Sequence, residues 1–156
     1  MWALIPVKNF ESAKSRLAGA YAPQARAQLA RTLAGVAVRA AVAARGVARV
    51  FVLSADEAAL LLAQQLGAET LHEPPAAQGF NALIAGALDE LQRRGATRLA
   101  YLASDLPQLT AAALEQLIDA HAGGLSIGRA QRDGGTNALL FDTPRRFELA
   151  FGHDSA

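Results

Sequence analysis

The segment FNALIAGALDELQRRGATRLAYLASDLP, residues 80–107, predicts a helix, a strand and a polar turn in that order. Its first part, Phe80–Arg93, repeats apolar residues at helical spacing and carries charged and amide side chains on the opposite face. Its second part, Arg98–Ala103, is a short apolar run typical of a buried strand, and Ser104-Asp105-Leu106-Pro107 ends that run. A helix that leads directly into a buried strand is the repeating unit of α/β proteins.

The same alternation continues in both directions along the chain. Further strands are predicted at Trp2–Val7, Ala48–Leu53, Glu69–Leu71, Leu125–Ala130 and Asn137–Phe141. Further helices are predicted at Pro23–Ala44, from Asp56 to Leu66, and from Thr110 to His121. We therefore predict an α/β fold, a three-layer α/β/α sandwich with a mainly parallel sheet and helices on both faces.

Local signals add detail to all three of these helices. Asp56 and Thr110 are short polar residues placed where a helix begins, which predicts N-caps. In the long helix Pro23–Ala44, the spacing predicts one buried apolar face, formed by Leu29, Leu33, Val36 and Ala40.

Composition limits the possible function classes. The 156 residues fit a single domain, and 52% hydrophobic with 19% charged residues is a globular rather than a disordered composition. A net charge of +1 without a Lys/Arg block does not predict nucleic-acid binding. Arg39, Arg45 and Arg49 interrupt the Ala/Val-rich stretch from Leu33 to Leu53, so no membrane span is predicted. The chain has 0 Cys, which excludes disulfides and fits a cytoplasmic location.

A basic loop follows the first predicted strand and contains Lys8, Lys14 and Arg16. Ligands bind parallel sheets at the carboxyl ends of the strands, so three cations at this position favour a polyphosphate. The alternative is a solvated basic loop. The loop lacks the glycines of a Walker A or dinucleotide-binding motif.

Two other polar residues stand at predicted element ends. Asp105 follows a buried strand, where a carboxylate is suited to Mg²⁺ beside substrate phosphates; the alternative is a simple turn residue. Asn81 lies at the start of a helix, after Gly79, where it could bond a ribose or a base; the alternative is a capping residue.

Two glycine-containing segments near the C-terminal end suggest an anion site. They are Gly134-Gly135-Thr136-Asn137 and Phe151-Gly152-His153-Asp154-Ser155-Ala156. Glycine lets main-chain N–H groups approach a ligand, and Thr, Asn and Ser supply short neutral donors. This combination suits a phosphate or a carboxylate.

Five segments in order resemble a known family. IPVK…AKSRL (Ile5–Leu17), GFNALIAGAL (Gly79–Leu88), SDLP (Ser104–Pro107), GGTNALL (Gly134–Leu140) and FGHDSA (Phe151–Ala156) are similar to segments of the 2-phospho-L-lactate guanylyltransferases. These enzymes make a precursor of a deazaflavin coenzyme, and related members use phosphoenolpyruvate or 3-phosphoglycerate. The resemblance implies a fold of the nucleotide-diphospho-sugar transferase (GT-A) type, GTP and a phosphorylated acid as substrates, Mg²⁺ as cofactor, and a homodimer.

The resemblance also implies roles for single residues. Lys8, Lys14 and Arg16 would hold the triphosphate, Asp105 would bind the metal, and Asn81 would lie against the nucleoside. The phosphorylated acid would contact the glycine-containing segments, through Thr136, Asn137, Gly152 and Ser155.

Two departures from the family pattern bear on these roles. Position 137 is Asn where many members carry a second Thr, which leaves the identity of the acid open. The family continues beyond FGHDSA, so a single nucleotidyltransferase domain without the C-terminal extension is expected for residues 1–156. The alternatives are a nucleotidyltransferase of the same fold with another acceptor, a non-catalytic GTP-binding module, or a truncated product that binds nothing.

Overall fold

The computed structural model of the protein describes residues 1–75, 79–131 and 134–152, with the main chain alone at Arg16. The strands are β1 Trp2–Pro6, β2 Arg49–Ser54, β3 Glu69–His72, β4 Arg98–Leu102, β5 Leu125–Arg129 and β6 Thr136–Asp142. The helices are α1 Pro23–Ala43, α2 Glu57–Gln65, α3 Phe80–Arg93 and α4 Ala111–Ala120, with a short 3-10 helix at Ser15–Leu17. The predicted order of strands and helices is confirmed.

These six strands form one sheet in the order β3-β2-β1-β4-β6-β5. The first four strands along the chain are parallel, and β6 runs antiparallel to both β4 and β5. Because β6 is reversed, its first residues lie beside the last residues of β4, where Ala138 is paired with Leu102. The start of β6 therefore reaches the same edge as the carboxyl ends of the parallel strands.

Alternation along the central strands supplies an apolar face on each side of the sheet. In β1, Ala3 and Ile5 pack into the core beneath α1, α2 and α4, whereas Leu4 packs with α3. The buried α3 residues of that second core are Ile84, Ala87, Leu88 and Leu91, which lie on the apolar face of the helix. The predicted three-layer α/β/α sandwich is confirmed.

The buried face of α1 agrees with the predicted one at Ala40 and departs from it at Leu29. Leu29 is 40% exposed, whereas Ala30, Ala34 and Val38 are buried against the sheet and α4. The prediction was therefore wrong for Leu29. Alanine side chains let the helix axis approach its neighbours closely, so the face with the smaller residues packs inward and the larger leucine turns outward. Within the described residues, no helix has both the length and the apolar character needed to cross a membrane.

Candidate active site

A pocket of about 650 Å³ opens at the carboxyl edge of the sheet. Its walls come from the segments that follow β1 and β4, from the start of α3 and from the middle of α1. The side chains that line it include Lys8, Phe10, Lys14, Leu33, Glu73, Phe80, Tyr101, Ser104 and Asp105. The location agrees with the rule for parallel sheets that selected these loops.

The basic loop after β1 is fixed by the neighbouring strand. The buried Ser54 hydroxyl donates to the Val7 carbonyl at 2.7 Å and accepts from the Asp56 main-chain N–H at 3.0 Å. The Asp56 carboxylate caps α2 by accepting from the Ala58 N–H at 2.9 Å, which confirms the predicted N-cap. Its second oxygen accepts from the Phe10 N–H at 2.8 Å. These contacts anchor the loop to β2 and to the start of α2.

Lys14 occupies an unusual backbone conformation within this loop. Its φ of 56° and ψ of 35° lie in the left-handed region, and it is the one non-glycine residue with positive φ in the described parts of the chain. This region costs a residue with a Cβ about 1–2 kcal/mol. Such strain persists only where surrounding contacts enforce it, and it concentrates at functional sites.

Lys14 is directed across the pocket toward the end of β4. Its Nζ lies 2.8 Å from Asp105 Oδ2, so the ion pair joins the loops that follow two adjacent strands. The Asp105 side chain is 57% exposed and that of Lys14 is 25% exposed. A pair this accessible to water adds little stability to the fold.

Asp105 also fits the chemistry of a magnesium ligand. In the described part of the chain, no three His, Asp or Glu side chains form a group that could hold a metal ion. Mg²⁺ does not need such a group when substrate phosphates supply further oxygens, because one or two carboxylates are then enough. An exposed carboxylate beside a lysine-lined pocket meets that requirement.

Tyr101 forms part of the pocket wall, a role the sequence did not indicate because the residue lies inside an apolar strand. Burial, and secondarily the Asp105 carboxylate, raises the pKa of Tyr101 to about 12. The Tyr101 hydroxyl is therefore protonated throughout the neutral pH range and can donate a hydrogen bond.

This shift predicts a pH dependence of stability. The folded-state pKa of Tyr101 lies above the ordinary value of 10.0, so the folded state retains the proton where the unfolded state loses it. The free energy of unfolding should fall as the pH rises from about 10 to about 12, and Tyr101→Phe should remove this part of the fall. Urea titrations at increasing pH measure the free energy of unfolding. Tyr21→Phe, which changes an exposed tyrosine, is the control. Equal slopes for the two variants would contradict the assignment.

The other predicted site residues occupy different positions. Asn137 lies at the start of β6, where its carbonyl accepts from the Ala103 N–H at 2.8 Å, next to the turn that carries Asp105. Thr136 precedes it in the same strand. Gly152 is exposed. Ser155 and His153 lie outside the described residues, as does the side chain of Arg16.

Asn81 is near the pocket, and its amide contacts the main chain of the C-terminal segment. Its Oδ1 accepts from the Phe151 N–H at 2.7 Å, and its Nδ2 donates to the Phe151 carbonyl at 3.4 Å. The predicted nucleoside contact stays a prediction. A bond between residues this far apart in the chain has no local sequence signal.

A serine–histidine–aspartate set lies at the opposite edge of the sheet. His121 Nδ1 is 2.7 Å from Ser126 Oγ, and His121 Nε2 is 3.7 Å from Asp142 Oδ1. The Asp142 carboxylate also pairs with Arg98 at 3.4 Å and accepts from the Gly124 N–H at 2.9 Å. These contacts attach the end of α4 to β5 and β6, which indicates a structural role.

Comparison with known proteins adds independent findings. The family described as "Guanylyl transferase CofC like" matches residues 1–156. A phosphoenolpyruvate guanylyltransferase from Chloroflexus aggregans is 40% identical over 97% of the chain, which covers 77% of that protein. A 2-phospho-L-lactate guanylyltransferase from Methanothermobacter thermautotrophicus is 33% identical over 96% of the chain, which covers 65% of that protein.

A solved structure supports the fold. It is described as a nucleotide-diphospho-sugar transferase from Desulfovibrio desulfuricans G20, and it superposes with a TM-score of 0.73 at 20% sequence identity. The match covers 90% of this chain and 62% of that one. The predicted nucleotide-diphospho-sugar transferase type of fold is confirmed.

Proposed function

The chain belongs to the CofC-like guanylyl transferase family, and on this premise we propose that it transfers GMP from GTP to a small phosphorylated carboxylic acid. An oxygen of the acid's phosphate attacks the α-phosphorus of GTP and forms a P–O–P linkage. The bond from the α-phosphorus to the oxygen that bridges to the β-phosphate breaks, and pyrophosphate leaves. The product belongs to the biosynthesis of a deazaflavin coenzyme.

One observation carries the proposal: Lys14 and Asp105 meet at 2.8 Å across the pocket, from the loops after two adjacent parallel strands. A triphosphate requires cations, and a metal bound with it requires a carboxylate. The pocket brings both groups to one place, with Lys8 in the same wall.

The chemistry needs no strong general base. The attacking phosphate oxygen is already anionic, so no proton must be removed before it attacks. Catalysis then consists of orienting the two phosphates and balancing their charge. This agrees with a pocket wall that carries lysine, carboxylate and hydroxyl groups.

We assign the roles as follows. Lys8 and Lys14, together with Arg16, hold the triphosphate through their charges. Asp105 is the protein ligand for Mg²⁺, which supplies charge neutralisation at the phosphate oxygens when bound. Once the triphosphate binds, Lys14 exchanges its Asp105 partner for phosphate and leaves the carboxylate available.

We assign the acid to the start of β6, at the same edge of the sheet as the Asp105 turn. Thr136 and Asn137 begin β6 beside the end of β4, which puts their main chain next to the Asp105 turn. Gly152 and Ser155 complete the proposed acid site. The names of the relatives favour phosphoenolpyruvate or 2-phospho-L-lactate, and 3-phosphoglycerate is the third member of the class.

Pyrophosphate release tests the proposal. Mg-GTP is supplied with each of the three acids in turn and without an acid, and the nucleotide product is identified by ³¹P NMR. We expect release with one acid and a new diphosphate linkage in the product. Release that is equal without acid would indicate GTP hydrolysis, and binding of Mg-GTP without release would indicate a non-catalytic module.

Two further properties belong to the proposal: a homodimer and a cytoplasmic location. The resemblance supports the first, and the absence of cysteine fits the second. Light scattering after size-exclusion chromatography measures the oligomeric state directly.

A further inference from the structure

The chain after β6 forms a strap across the face of the sheet that α3 covers, and we call residues 145–152 the C-terminal strap. At its beginning, Arg145 lies 3.3 Å from Asp89 Oδ1 of α3 and donates to the Phe147 carbonyl at 2.6 Å. The Phe147 ring packs on Phe141 of β6, with ring centroids 5.2 Å apart. These contacts attach the strap to the sheet and to α3 before it reaches the pocket.

At its other end, the main chain of the strap is hydrogen-bonded by the Asn81 side chain. The Asn81 amide accepts from the N–H of Phe151 at 2.7 Å and faces its carbonyl at 3.4 Å. Both main-chain polar groups of Phe151 are thus paired with a single amide, as they would be in a sheet. This pairing fixes the direction in which the chain continues into Gly152.

The Phe151 ring places this end against the pocket. Its centroid lies 4.4 Å from that of Tyr101 and 5.5 Å from that of Phe80, and both of these residues line the pocket. The three rings form a cluster between α3, β4 and the strap. Gly152 therefore follows directly on a residue packed against the pocket wall.

We propose that Asn81 is a positioning residue for the phosphorylated acid and acts through Phe151. The inference rests on the proposed function, because it concerns the acid site to which Gly152 is assigned. Asn81 lies on α3 and its amide contacts the strap rather than the pocket, so its effect on the acid is transmitted by the main chain of Phe151. A direct contact between Asn81 and the nucleoside would instead predict that loss of Asn81 weakens GTP binding and leaves the KM for the acid unchanged.

Steady-state kinetics of Asn81→Ala separates the two possibilities. We expect the KM for the acid to rise by roughly tenfold or more, because the end of the strap is no longer held in position by the Asn81 amide. The dissociation constant for Mg-GTP, measured by calorimetry, should change less than about twofold, because the pocket cations are untouched. Asn81→Gln, which retains the amide on a longer chain, should recover part of the lost acid affinity.

Two controls test whether Asn81 acts on the acid through Phe151. Asp89→Ala removes a tether at the other end of the strap and should leave the acid KM within about twofold. A double-mutant cycle of Asn81→Ala with Phe151→Ala should be non-additive in the acid KM, because both residues act through one segment.

The outcomes are distinct. Weaker GTP binding by Asn81→Ala with an unchanged acid KM would overturn the inference in favour of a nucleoside contact. Additive effects in the cycle would also overturn it. Wild-type protein that transfers GMP to none of the acids would overturn the proposed function itself, and this inference with it.

Discussion

Asp105→Ala is expected to reduce GMP transfer by about 1,000-fold or more, which corresponds to about 4 kcal/mol of transition-state stabilisation. Asp105 is the carboxylate at the pocket edge and the proposed protein ligand for Mg²⁺. Without it, charge on the triphosphate oxygens is left unbalanced as the bond to pyrophosphate breaks. The measurement is kcat for pyrophosphate release at saturating Mg-GTP and acid.

The same substitution should leave the fold intact. Its ion pair with Lys14 is exposed to water, so the free energy of unfolding should change by about 1 kcal/mol or less. Asp119→Ala is the matched control, since it removes an exposed carboxylate from α4. An Asp105→Ala enzyme with wild-type kcat and unchanged metal dependence would remove the assignment.

Lys14→Asn is expected to reduce kcat/KM for GTP by about 100-fold, because a cation that holds the triphosphate is lost. Asparagine is chosen because it tolerates the left-handed conformation that Lys14 adopts, so the loop should keep its shape. Arg31→Ala, at an exposed position on α1, is the control for the loss of one positive charge.

In the presence of EDTA, the substitutions of Asp105 and Lys14 should change the affinity for GTP in opposite directions. Asp105→Ala frees Lys14 from its partner and should tighten metal-free GTP binding by several-fold, whereas Lys14→Asn should weaken it. Calorimetry measures both dissociation constants. A change in the same direction for both variants would contradict the exchange of partners proposed for Lys14.

The edge of the sheet that binds ligand could be predicted from the sequence. Buried strands end at Pro6 and Leu102, and the polar residues Lys8 and Asp105 follow within three residues. Because parallel strands end at one edge, this arrangement alone favoured a common site. The N-caps at Asp56 and Thr110 could also be predicted from the local sequence, and the Thr110 hydroxyl accepts from the Ala113 N–H at 3.1 Å.

The rotation of α1 could not be predicted in the same way. Its sequence is rich in alanine, so more than one face satisfies the helical spacing. The face that is buried depends on how closely α1 packs on the sheet and on α4. Close packing favours the face with the smaller side chains. Leu29 therefore lies outside, although its apolar character predicted burial.

The sequence by itself determined the order of strands and helices, the family, and the loops that carry the reactive side chains. The elements and the loops depend on residues near one another in the chain, and the family is recognised from short segments in a fixed order along it. The tertiary structure alone decided that β6 is reversed, that Lys14 meets Asp105, and that Asn81 holds Phe151. Each of these is a contact between residues far apart in sequence, and its geometry is fixed only when the helices and the sheet pack around a common core.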